Sequence, residues 1–169
     1  MHSPLRLLAI GVSTAIALLA LPASASAAPS RSLGVTSASA SAPLPAPAAD
    51  PIETFQNQNT GRCIDDTNSG GFRTFPCNGT AAQQWRVHVF ADSTRRLQNV
   101  NTGRCMRDGS NGFFTQACDL STNNSWFIDH PAAGQIAFRN QNTGRCIDDT
   151  NSGGFRTFPC NSTPAQQWH

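Results

Sequence analysis

The sequence predicts an all-β domain of three repeats closed about a pseudo-threefold axis. Its period predicts this first. The 22 letters NQNTGRCIDDTNSGGFRTFPCN at positions 57–78 return unchanged at 140–161, 83 residues later. Midway between them lies a drifted copy, NVNTGRCMRDGSNGFFTQAC, from Asn99 to Cys118, so the spacing is 41 or 42 residues. A period of that size marks a repeat architecture. The landmarks predict it next: Cys63, Cys105 and Cys146, then Cys77, Cys118 and Cys160, then Trp85, Trp126 and Trp168 recur in register. The third observation is the absence of any sustained helical periodicity, which leaves short β-like segments broken by turn residues.

The elements follow in order within a unit. FQNQ, RCID, FRTF and QQWRVHVF are the candidate strands of the first unit, and NTG, NSGG and CNGT supply its turns. The units run over about 52–93, 94–134 and 135–169. Three units are too few for a propeller. An open stack would expose strand edges, so closure of three four-stranded units is expected. Four sets of equivalent apolar residues fit a threefold core: Phe55, Leu97 and Phe138; Ile64, Met106 and Ile147; Phe72, Phe113 and Phe155; and the three Trp. At an invariant repeat position a Trp fills the centre rather than stacking on a ligand.

Ahead of the array the composition changes. An apolar run from Leu7 to Leu21 precedes LPASASAAP, which offers small-residue cleavage sites. Residues 1–27 therefore read as a secretory signal peptide, since the apolar run is too short to span a membrane. Residues 28–51, rich in Ala, Ser and Pro, read as a linker or disordered leader. Export makes the chain a secreted, extracellular protein with disulfides expected in an oxidising compartment. Threefold similarity favours Cys63–Cys77, Cys105–Cys118 and Cys146–Cys160, one bridge per repeat. No Cys-x-x-Cys pair or His at ligand spacing supports a metal, and no cofactor is expected. The net charge is +2, with 12 basic residues, all Arg, and no basic stripe. Nucleic-acid binding is therefore not expected, nor, given the short apolar run, is membrane insertion.

Three features then point to a family: Thr-Gly-Arg-Cys-Ile-Asp, one cysteine pair per unit, and Gln-x-Trp at Gln83–Trp85 and Gln166–Trp168, with Asn124-Ser125-Trp126 in the middle unit. The array resembles a ricin-type β-trefoil lectin domain, also seen as a carbohydrate-binding module of secreted glycan hydrolases. The resemblance implies a monomeric β-trefoil that binds a glycan or polysaccharide.

Strand alternation places the candidate site. If Ile64, Phe72 and Thr74 point inward, then Asp65, Arg73 and Phe75 point outward and line a shallow, solvent-facing pocket. Asp148, Arg156 and Phe158 line a second. A carboxylate accepts hydrogen bonds from neighbouring sugar hydroxyls, and amides both donate and accept. The resemblance implies that Asp65 and Asp148 take the hydroxyls while Phe75 and Phe158 cover the sugar face. It adds Asn78 and Asn161, used by xylan-binding relatives, and Gln83 and Gln166. In the middle unit Arg107 replaces the Asp and Gln116 the aromatic. The sequence departs from the galactose-binding pattern at Ala82 and Ala165, at Arg73 and Arg156 where Gln is common, and at Phe75.

A catalytic role is not expected. Asp65 and Asp66, being adjacent on a strand, point to opposite faces and cannot flank one glycosidic bond. Asp66 reads as a turn former, and His88 and His130 lack a nucleophile partner. The function expected is non-covalent glycan binding through the first and third repeats. The alternatives are a protein-binding, inhibitor-like trefoil or the glycan-targeting module of a hydrolase system.

Overall fold

The computed structural model describes residues 49–169. The expected signal peptide and almost all of the expected leader lie outside the described residues. Eleven strands make up the described fold: β1 (Ile52–Glu53), β2 (Arg62–Thr67), β3 (Gly71–Pro76), β4 (Trp85–Val89), β5 (Arg95–Asn99), β6 (Cys105–Gly109), β7 (Gly112–Gln116), β8 (Trp126–Asp129), β9 (Ala137–Asn140), β10 (Cys146–Thr150) and β11 (Gly154–Phe158). Each unit contributes one hairpin of its own: β2–β3, β6–β7 or β10–β11. Two further hairpins, β4–β5 and β8–β9, join successive units. The third joint closes between the last unit and the first, where Asn57 bridges Trp168, which also bridges Ile136 of its own unit. Every pairing is antiparallel, and the layout is a β-trefoil.

The core is the one the repeat predicts. Ile64, Met106, Ile147, Leu97, Phe138 and all three Trp are fully buried, and Phe55 nearly so. Each indole N–H donates to a backbone carbonyl of its own unit, at 3.1 Å for Ile64 and 3.3 Å for Met106 and Ile147. A buried Trp thereby leaves no polar atom unpaired. Phe72, Phe113 and Phe155 are only half-buried and cap one end. Their rings meet edge to face, with centroids 4.9–5.0 Å apart. Val87, Ile128 and Ile136 also pack against this core. The three disulfides join Cys63–Cys77, Cys105–Cys118 and Cys146–Cys160. A loop of this size adds about 3 kcal/mol on the chain-entropy account.

Two segments differ from the expected strands. FQNQ forms isolated bridges at Gln56 and Asn57 rather than a strand. The Asn57 side chain explains this. Its Oδ1 accepts from the backbone N–H of Asn59 and Thr60, which bends the chain into the NTG turn, and its Nδ2 donates to the Ala165 carbonyl. QQWRVHVF becomes a strand only at Trp85, because a 3₁₀ turn spans Ala81–Gln83.

Asp66 is not a turn former. It is fully buried on β2 and accepts two hydrogen bonds from Arg104 of the next unit, at 3.0 and 2.6 Å. Asp108 holds Arg145 in the same way, and Asp149 holds Arg62. The hydrogen bond to Asp66 raises the already high pKa of Arg104. Thr102, Thr143 and Thr60 add a hydroxyl to Asp66, Asp108 and Asp149 respectively. Each unit thus presents a buried carboxylate to its neighbour's arginine, and the three pairs form a closed ring. Fork-to-fork pairing of this kind is the strong form of an ion pair.

Candidate functional site

The site in the first unit is built on the β2–β3 hairpin. Asp65 and Arg73 are direct cross-strand partners, and Phe75 lies two residues along β3 on the same face. Cross-strand partners of opposite charge meet on one face of a pleated pair. Arg73 Nε donates to Asp65 Oδ1 at 3.1 Å, and its Cζ lies 4.4 Å from the Phe75 ring centroid. The third unit repeats this: Arg156 Nε to Asp148 Oδ1 is 3.1 Å, and Arg156 Cζ lies 4.6 Å from the Phe158 centroid. Phe75 and Phe158 stay 40% and 41% exposed.

Two expectations need correction. Asp65 and Asp148 do not face open solvent; each is only 2% exposed beneath its arginine. Gln83 and Gln166 are buried, with both amide atoms committed to the backbone. Gln83 donates to the Pro76 carbonyl at 3.0 Å and accepts from Asn78 N–H at 2.8 Å; Gln166 does the same with Pro159 and Asn161. They hold the strand end that carries the aromatic and present no free polar atom. Asn78 and Asn161 are exposed, and their side-chain oxygens bond Thr80 and Thr163 in a local turn.

A residue not singled out in the sequence completes the arrangement. A Cβ on Gly70 would lie 2.5 Å from an Arg73 terminal nitrogen and 2.7 Å from its Cζ. A Cβ on Gly153 would meet Arg156 at 2.6 and 2.7 Å. Neither glycine has a positive φ, unlike Gly71, Gly112 and Gly154, which the hairpin turn requires in all three units. A side chain at Gly70 or Gly153 would therefore displace the guanidinium that passes over the backbone there. The signal was present: both belong to NSGG, and the middle unit carries Asn111 before its turn glycine.

The middle unit is organised differently. Arg107 occupies the strand position of the carboxylate, opposite Phe114, and lies over that ring at 5.2 Å. Gln116 replaces the aromatic and donates to Asp119. Hydrogen bonds from the Ser121 hydroxyl and N–H hold the Asp119 carboxyl below its ordinary range, as does the nearby charge of Arg107.

Adjacent carboxylates diverge here, Asp65 toward Arg73 and Asp66 toward Arg104. Among the described residues no group of three His, Cys, Asp or Glu is placed to hold a metal ion, and no helix is long and apolar enough to cross a membrane.

The class defined by this fold is a β-trefoil built from three disulfide-closed units. The family model of the ricin-type beta-trefoil lectin domain matches residues 52–168, and the chain belongs to that family. A domain of this family is a carbohydrate-binding, non-catalytic module. No curated protein sequence matches the chain. Among solved structures it is similar to the designed threefold-symmetric protein ThreeFoil, at TM-score 0.64 and 16% identity over 69% of this chain and 95% of that one. It is also similar to SeviL bound to asialo-GM1 saccharide, at TM-score 0.61 and 11% identity over 72% and 95%. A third is 1,3Gal43A, an exo-beta-1,3-galactanase from Clostridium thermocellum, at TM-score 0.62 and 19% identity over 72% of this chain and 30% of that one.

Proposed function

We propose that this chain is a secreted glycan-binding protein with two equivalent sites, Asp65–Arg73–Phe75 in the first repeat and Asp148–Arg156–Phe158 in the third. One observation carries the reading. The outer repeats keep carboxylate, arginine, slot glycine and half-exposed aromatic together, and the middle repeat has replaced all four while keeping its core residues. Young duplication accounts for identical outer copies. It does not account for the joint replacement of these four in the middle one.

Each group has a place in such a site. The exposed part of Phe75 offers an apolar surface to the C–H face of a pyranose. Arg73 N–H groups donate to ring or hydroxyl oxygens, and Asp65 fixes the guanidinium in place. Asn78 sits at the exposed margin as a further polar contact. The export reading rests on the apolar run and cleavage pattern at 1–27, with 28–51 as leader and 52–169 as the binding domain. Three disulfides suit an oxidising compartment. The protein acts as a monomer and catalyses no reaction.

A pocket of this kind binds weakly, with a Kd of roughly 0.1–1 mM. Two of them on one rigid domain gain on a polymer, because the second contact is intramolecular. A panel of soluble polysaccharides and immobilised glycans, followed by calorimetry with the matching oligosaccharide, tests the reading. Two weak, near-equal sites are expected. A single tight site would overturn it.

A further inference from the structure

Among the described residues the Asp–Arg pairs use the guanidinium in two ways. Arg62, Arg104 and Arg145 each engage their carboxylate through both Nε and a terminal nitrogen, and Arg139 does the same with Asp129. Arg73 and Arg156 engage theirs through Nε alone. Their two terminal nitrogens find no acceptor among the described residues, and about 40% of each side chain is exposed. These arginines are nonetheless fixed. The carboxylate holds Nε, the aromatic ring lies under Cζ, and the slot over Gly70 or Gly153 leaves no room for a side chain beneath. The result is a guanidinium whose free edge, two nitrogens wide, is held at the mouth of each site.

We propose that this edge reads an anionic group, so that the preferred ligand of the two sites is a glycan bearing carboxylate or sulfate. The inference rests on the glycan-binding reading above and names its ligand class. A planar pair of N–H donors matches two oxygens of a carboxylate or sulfate, and it binds them bidentately. A fixed fork does so with little loss of side-chain entropy. A neutral hydroxyl uses one donor and leaves the other to water. In the middle repeat the matching position is Phe114, and Arg107 opposite it has no carboxylate to hold its Nε.

The test compares charged and neutral forms of one polymer. Galacturonate oligomers are set against their methyl esters, and a sulfated galactan against its desulfated form, at low and raised salt. At least about tenfold tighter binding of one charged form is expected at low salt, shrinking as salt screens it. The two arms show whether carboxylate or sulfate is the natural group. Two double variants separate a positioned fork from general attraction. R73Q/R156Q removes the charge. G70A/G153A keeps every charge but pushes the guanidinium out of its slot. Loss of the charge preference in both supports the inference. Equal binding of charged and neutral forms, or a preference that survives either variant, overturns it while leaving the glycan-binding reading intact. If neither series binds while another glycan of the panel does, the inference falls alone; if no glycan of the panel binds, both readings fall together.

Discussion

Asp65 and Asp66 are neighbours in the chain and opposites in use. Asp66 turns inward to a seam between units and takes two hydrogen bonds from Arg104. Asp65 turns outward and takes one from Arg73. The seam pair recurs three times and the outward pair twice. The difference separates what the fold demands from what it tolerates. Without the seam carboxylate, the next unit's arginine faces a partly buried interface unpaired. Without the outward carboxylate, as in the middle repeat, the fold persists.

The largest effect therefore belongs to the ring. Asp66→Asn, Asp108→Asn and Asp149→Asn should each lower stability by about 2–4 kcal/mol in urea titrations, the scale of breaking a buried ion pair from one side. Their near-equality matters as much as their size. A loss below about 1 kcal/mol at any one position would break the claim that the seams are equivalent.

Gln83→Ala comes next. It removes two hydrogen bonds at a fully buried site and strands a carbonyl and an N–H, for about 1–2 kcal/mol. Glycan affinity at the first site should fall only as far as the strand end loosens. A clean loss of binding with unchanged stability would move Gln83 into the pocket.

Asp65→Asn should cost about 1 kcal/mol, since the carboxylate is buried but its partner keeps much of its surface in water. The same change should abolish its own site, read by calorimetry. Polymer retention should then fall far more than twofold, and mere halving would argue against joint use of the sites.

The smallest effect is expected in the middle repeat. Arg107→Ala should change stability by no more than about 0.5 kcal/mol and leave glycan binding untouched. Loss of binding there would assign the function to the wrong repeats.

Much of the fold was legible because core positions recur in register, so twelve apolar residues and six cysteines announce their places. The outward face of β2–β3 was legible for another reason: alternation alone brings Asp65, Arg73 and Phe75 together. The ring of seam pairs was harder to see. Asp66 and its partner Arg104 belong to different units, and reading each unit by itself pairs neither. The clue was retention of both in all three copies, including the drifted one. The burial of Asp65 was missed because alternation gives a side chain's direction and not what lies over it. Gly70 was masked by Gly71, whose turn already explains a glycine. Gln83 shows the limit in a different way. Its amide suits a sugar and a backbone equally well, and only the fold reveals that the backbone has both ends of it.

The closing seam has one more consequence. Backbone covalency crosses two joints between units and is missing from the third. There Gln56 and His169 exchange backbone hydrogen bonds at 2.9 and 3.1 Å, and Asp149 grips Arg62 as firmly as Asp66 grips Arg104. Where the chain is cut is thus nearly arbitrary to the finished ring. A circular permutant that joins residue 169 to residue 52 through a short linker and opens in the exposed turn at 132–134 should fold to the same trefoil, with the same three disulfides.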